Sequence, residues 1–262
     1  MELIGFFFAL LIGFFVGLFG GGGSILSVPV LAYLFLFNEK VATAYSLFIV
    51  GVTAMIAGIK QNLRKNVNWK IALIFGVPSL VGVWLVRKFV IPELPIIIFD
   101  FYGFLLSRRM LMFGIFILLM FLSSYYIISE RKNLISKRSK KTNYSWIIFE
   151  GLVIGALTGF VGAGGGFLIV PALIVLTHLD IKVAVGTSLI IIAIKSIIGF
   201  LLGDALIMEI DWNFLIFFTS ISISGTFLGT YFSDKINSYL LKKGFGYFIL
   251  LMALVMLVFE FK

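Results

Sequence analysis

The chain has 262 residues, of which 61% are hydrophobic and only 13% charged, with a formal net charge of +9. A soluble domain carries about 25% charged residues, so this balance excludes an ordinary soluble fold and points to a polytopic membrane protein. With no cysteine and one histidine, His178, disulfides, thiolate chemistry and multi-histidine metal sites are excluded as well.

No cleavable signal peptide is expected, because the N-terminus lacks a basic region and runs straight into apolar sequence. Residues 3–37 form the first element, longer than the roughly 20 residues of an untilted span. Gly20, Gly21, Gly22 and Gly23, followed by Ser24, interrupt it. Four consecutive glycines disfavour a helix, which predicts two half-helices meeting at membrane depth, as one broken crossing or as a hairpin. Non-helical backbone is tolerated there only inside protein or along a cavity. Gly13 and Gly17 read as a small-xxx-small packing face.

A span follows over 41–59, carrying Thr43, Tyr45, Ser46 and Thr53, and then a basic loop. The third span starts near Ile71, contains Pro78 and ends at Arg87 and Lys88. Residues 96–107, after Pro92 and Pro95, are predicted to form a short interfacial helix holding Asp100. Arg108 and Arg109 precede a fourth span over 110–128. The basic stretch 130–143 reads as a solvated cytoplasmic linker, so the domain plan is a first transmembrane repeat 1–129, the linker, and a second repeat 144–262. In the second repeat a broken element covers 146–179 and a span covers 183–202. An acidic loop with Asp204, Glu209 and Asp211 precedes a span over 212–232. A short interfacial helix over 234–243 and a last span from Gly244 complete the expectation. His178 is expected at an interface.

The halves align 142 residues apart. Gly13, Gly17, Gly20, Gly22, Gly23, Leu26, Val28 and Pro29 match Gly155, Gly159, Gly162, Gly164, Gly165, Leu168, Val170 and Pro171. The register continues through Lys40-Val41-Ala42 and Lys182-Val183-Ala184. With one residue of slip it reaches Trp69 and Trp212, then Gly82 and Gly225. The predicted fold is therefore all-α, with two sequence repeats, each a Gly-broken helix or hairpin plus three spans. If the broken elements are hairpins, each half crosses an odd number of times and the repeats are inverted. That arrangement gathers most loop Lys and Arg on one side, as the positive-inside rule asks, so the inverted form is preferred.

These residues resemble the sulfite exporter TauE/SafE family, also grouped as toluene-sulfonate uptake permeases. The likeness rests on the two glycine runs with their following Leu-x-Val-Pro segments, and on the Lys-Val-Ala runs at Lys40 and Lys182. The resemblance implies transport of sulfite, organosulfonates or related sulfur oxyanions.

The physical chemistry agrees with it. Half-helix N-termini expose unpaired N–H groups with partial positive charge, and glycines let an anion approach them closely. The expected substrate site takes Gly20, Gly21, Gly22, Gly23 and Ser24 from the first break. It takes Gly162, Gly164, Gly165 and Gly166 from the second. Tyr45, Ser46, Thr187 and Ser188 are hydrogen-bonding candidates. Lys195, deep in an isoleucine-rich span, is the candidate cation. A charge at the bilayer centre costs about 2.5–3.5 kcal/mol, which asks for a cavity or a partner, or for snorkelling toward Asp204. Catalysis needs clustered acids, histidines or an activated nucleophile, and none is evident, so a transporter is expected and an enzyme is not. The expected partners are a small anionic substrate and the bilayer in a cell membrane, with a homo-oligomer allowed. No nucleic acid, cofactor or metal is expected.

Overall fold

The computed structural model describes residues 2–101, 104–129, 144–162, 164–177 and 179–260. The linker 130–143, with its predicted cytoplasmic placement, and His178 lie outside the described residues.

Helices α1 (Glu2–Phe19) and α2 (Gly23–Pro29) flank the first glycine run. A π-helical turn, Val30–Leu34, starts right after Pro29, whose missing N–H disturbs the regular ladder. Then come α3 (Glu39–Leu63) and α4 (Trp69–Leu85), the latter prolonged by a π turn (Val86–Val90) and by α5 (Ile91–Glu93), before α6 (Arg108–Ser129). The second half holds α7 (Tyr144–Val161), α8 (Gly166–Thr177), α9 (Ile181–Leu202), α10 (Trp212–Lys235) and α11 (Ser238–Glu260). Among the described residues seven helices, α7 included, are long and apolar enough to cross a membrane, while Ile4–Phe19, Gly23–Leu34 and Gly166–Thr177 are shorter apolar helices. Side-chain caps start several of them. Asn38 Oδ1 accepts the Val41 N–H at 2.9 Å, Asn68 Oδ1 that of Ile71 at 3.1 Å, and Asp211 Oδ1 that of Phe214 at 3.0 Å.

Two predicted interfacial helices are corrected. Residues 96–107 carry an antiparallel hairpin of β1 (Ile97–Phe101) and β2 (Phe104–Ser107), closed by the Arg108 N–H on the Ile96 carbonyl at 2.9 Å. Leu94 is extended, as the residue before a proline is driven to be, and the β-branched and aromatic run after it favours strand. Residues 234–243 hold no separate helix either. α10 runs to Lys235, and α11 begins at Ser238 behind Asn237, whose Oδ1 accepts the Tyr239 N–H.

The halves interlock. α1 packs along α10 and α4 along α7, while α3 lies on α9 and α6 on α11. Gly13 and Gly17 face the backbone of Ser222, Thr226 and Thr230. Gly151, Gly155 and Gly159 face Phe75, Ser79 and Val83. Both of these pairs run parallel. The pairs of equivalent helices run antiparallel: Gly51 lies by Ile197 and Gly58 by Ile190, and Arg109 pairs with Glu260 while the Ser124 hydroxyl reaches the Gly246 carbonyl. The first broken element doubles back. Gly23 sits against Ile12 and Val16, and the Phe35 ring covers Gly5.

One end of the bundle collects Arg64 with Asp234, Lys182 on the Asp234 carbonyl, and Lys70 on the Tyr144 hydroxyl. The other end collects Glu39 with Arg108, and Glu260 with Arg109 and Tyr33.

The glycine seams make a direct prediction. At Gly155 a Cβ would collide with the Ser79 backbone, whereas at Gly114 nothing lies within 4 Å. Gly155→Leu should cost at least about 1–3 kcal/mol through overpacking. Gly114→Ala should be neutral or stabilising by up to about 1 kcal/mol. Thermal melts of the two variants in detergent measure the difference.

Candidate functional site

The two glycine breaks meet. A Cβ on Gly21 or on Gly166 would overlap the other residue's Cα, and Ile192 of α9 packs on both. Only glycine at these two positions lets the broken backbones touch.

The first break is neutral, and its hydroxyls are engaged. Ser24 Oγ donates to the Gly21 carbonyl at 2.5 Å, and Ser188 Oγ to the Gly20 carbonyl at 2.9 Å. Ser46 Oγ shares a 2.5 Å hydrogen bond with Ser27 Oγ, which also reaches the Ser24 carbonyl at 3.0 Å. Gly22 packs on Phe19 and Gly23 on α1. These contacts hold the turn together within an apolar shell.

The second break is charged. Lys195 is 1% exposed. Its Nζ donates to Thr158 Oγ1 at 2.7 Å and lies 2.9 Å from where a Gly165 Cβ would stand. It does not snorkel to Asp204, whose carboxylate is taken by Arg87. Ser196 Oγ is buried near Gly164 without a hydrogen-bond partner among the described residues. Arg87, also 1% exposed, reaches Gly162 from the other side, next to Thr43. The first turn of α8 begins at Gly166, inside the same cluster, and its Leu168 and Ile169 N–H groups both donate to the Gly165 carbonyl at 3.0 Å.

The structure thus brings together Gly20, Gly21, Gly22, Gly23, Ser24, Ser46, Ser188, Gly162, Gly164, Gly165, Gly166 and Lys195. It does not bring Tyr45 or Thr187 there. Each accepts the backbone N–H of a helix-capping residue, Asp211 on Tyr45 at 2.8 Å and Asn68 on Thr187 at 3.0 Å. They are equivalent positions in the two repeats doing the same bracing.

Residue-level reading of the sequence passed over Arg87, Thr158, Ser196 and Asp204. Arg87 looks like a charge ending a span. A signal existed, since at the repeat's slipped offset Arg87 aligns with Thr230, inside the span predicted over 212–232. Among the described residues no cluster of three metal-ligating side chains occurs.

A family profile described as Sulfite exporter TauE/SafE matches residues 5–256. The chain belongs to this family. A probable membrane transporter protein of Xylella fastidiosa (strain 9a5c) is 30% identical over 257 residues, covering 93% of this chain and 90% of the relative. One from Methanocaldococcus jannaschii is 31% identical over 72% of this chain and 69% of its own length. One from Haemophilus influenzae is 27% identical over 94% of each. No solved structure matches. This TauE/SafE member is a multi-pass membrane transporter, and its two glycine runs touch at Gly21 and Gly166.

The Lys195–Thr158 bond can be weighed on its own. Thr158→Val leaves the ammonium buried without that acceptor and should cost about 1–3 kcal/mol. In a Lys195→Met background the same change should cost far less. A double-mutant cycle read by thermal melts measures the coupling.

Proposed function

We propose that the protein moves a small sulfur-containing oxyanion or organosulfonate, such as sulfite, by alternating access around a site at the two glycine breaks. The carrying observation is Lys195: a fully buried ammonium beside Gly165 whose one hydrogen-bond partner among the described residues is neutral. A buried charge is stable only when paired, and an anionic substrate supplies that pairing. The first turn of α8 adds partial positive charge at the same place.

The repeats are proposed to be inverted, with boundaries at 1–129 and 144–262. Antiparallel packing of the equivalent helices α3 and α9, and of α6 and α11, supports this relation. Such a relation suits transport, because exchanging the conformations of two inverted halves swaps the open side. The end holding Arg64, Lys70 and Lys182 is assigned to the cytoplasm by its basic character, and the basic linker 130–143 is proposed to be cytoplasmic on the same ground. Single cysteines introduced at Lys65 and Asp180 should react only from the cytoplasmic face. Labelling of Asp180 only from outside would overturn the topology.

For the site, Lys195→Met should weaken sulfite binding by about 1.5–3 kcal/mol, the range for hydrogen bonds to a charged group. Lys195→Arg should recover part of it, because the planar guanidinium needs more room. Gly164→Leu should abolish binding more than it reduces folded protein. Calorimetric titration of purified protein with sulfite reads all three, and unchanged affinity in Lys195→Met removes the ammonium from the site.

A further inference from the structure

Arg87 is held in an unusual way. It lies in the π-helical turn Val86–Val90, where Lys88, Phe89 and Val90 are exposed and Arg87 alone is buried to 1%. π turns inside helices often mark functional positions. Among the described residues its Nη1 makes all of the side chain's hydrogen bonds: to Asp204 Oδ1 at 3.1 Å, Asp204 Oδ2 at 3.2 Å and Thr43 Oγ1 at 3.2 Å. An arginine facing a carboxylate usually forms two parallel bonds from two nitrogens. Here both acid oxygens converge on one. Nε and Nη2 are buried and have no partner among the described residues.

Those two nitrogens form one edge of the guanidinium, with both N–H bonds pointing the same way. Nη2 lies against Gly162, where a Cβ would overlap it and Thr43. Gly162 also has φ +72°, a conformation that other residues rarely adopt. The glycine therefore lets this edge lie directly against the backbone of the second break. Leaving charged donors buried and unsatisfied costs several kcal/mol in general, and such groups in native structures call for a specific use.

The charges around the break point the same way. Arg87 and Lys195 are two buried cations, and Asp204 is the one carboxylate bonded to either. A single negative charge at the break restores neutrality. At the first break Thr230 stands in the place of Arg87 and accepts a hydrogen bond from the part-buried Lys60 Nζ at 2.7 Å, so among the described residues no buried guanidinium lies there.

We infer that the Nε–Nη2 edge of Arg87 grips two oxygens of one oxyanion at the second glycine break, so that Arg87 sets selectivity for anions bearing paired oxygens over monatomic anions. This rests on the reading of the second break as the anion site. Two N–H groups in a fixed fork match two oxygens on one sulfur, carbon or phosphorus centre, and a halide satisfies only one of them well. Asp204 and Thr43 are positioning residues: they clamp Nη1, and with it the plane of the fork. The grip is confined to the second break, so the two halves contribute unequally to one site.

The test uses purified full-length protein titrated with sulfite, methanesulfonate and chloride at constant ionic strength. Wild type should bind the two oxyanions at least about tenfold more tightly than chloride, as a charge-assisted two-point contact requires. Arg87→Lys keeps a cation for Asp204 but has no fork. It should lose about tenfold or more in sulfite affinity while chloride affinity moves by less than about twofold. Thr43→Val should lose a smaller, several-fold share. If Arg87→Lys does not fold, Arg87→Met with Asp204→Leu removes the pair without leaving a lone charge and should show the same loss. Sulfite affinity within about twofold of wild type in whichever variant folds overturns the inference, as does a wild type that binds chloride as tightly as sulfite. If Lys195→Met weakens sulfite binding and Arg87→Lys does not, the anion site stands and the role of Arg87 falls. If wild type binds no anion, both fall together.

Discussion

A broken backbone inside an apolar bundle needs other backbone around it. Helices satisfy their own N–H and C=O groups, and the two glycine runs do not. Away from water, an unpaired amide is costly, so each run must lie where protein encloses it. The contact between Gly21 and Gly166 meets this need for both at once. It in turn requires helices that approach closely enough to bring the breaks together. The seams of Gly13, Gly17, Gly225 and Gly229, and of Gly82, Gly151, Gly155 and Gly159, provide that approach. Without a hydrophobic force between helices in lipid, close packing of small residues is the main attraction available. The same glycines that break the chain and those that join the halves therefore answer one constraint.

Sequence duplication has left the scaffold symmetric and the chemistry asymmetric. Tyr45 and Thr187 brace matching capping residues, and Ser46 and Ser188 both lie at the first break. The charged groups break the pattern. Lys195 corresponds to Thr53, whose hydroxyl bonds back to its own helix at Ile49 and Val50. Arg87 corresponds to Thr230. Two substitutions at equivalent depths thus place the two fully buried cations, Arg87 and Lys195, beside the second break.

The ends of the bundle carry a different kind of interaction. Arg64 with Asp234, and Arg108 with Glu39, are partly exposed pairs near loop ends. Such pairs contribute little stability individually. Arg64 with Asp234 ties loops from different halves, whereas Arg108 with Glu39 stays within the first half. The Arg87–Asp204 pair is of another order, because removing either partner strands a buried charge.

Much was determined by the sequence alone. Low charge, repeated apolar stretches and matched glycine runs fixed an all-α membrane protein with two repeats. They also placed the breaks at Gly20–Gly23 and around Gly164. These features are local: composition and helix propensity act within a few residues. Lys195 was legible for the same reason, since a cation amid Ile190–Ile194 has no local explanation. What the sequence could not decide is which way each helix faces. A helix apolar on every side offers no stripe to orient it, so Tyr45 and Thr187 looked as eligible for the site as Ser46 and Ser188. Arg87 looked like a solvated end because its π turn and its partner Asp204, far along the chain, are tertiary facts. The return of α2 along α1 depends on Phe35 covering Gly5, and the β1–β2 hairpin on pairing across a turn. The contacts of Arg87 with Asp204 and of Phe35 with Gly5 are long-range, and only the folded bundle brings those partners together.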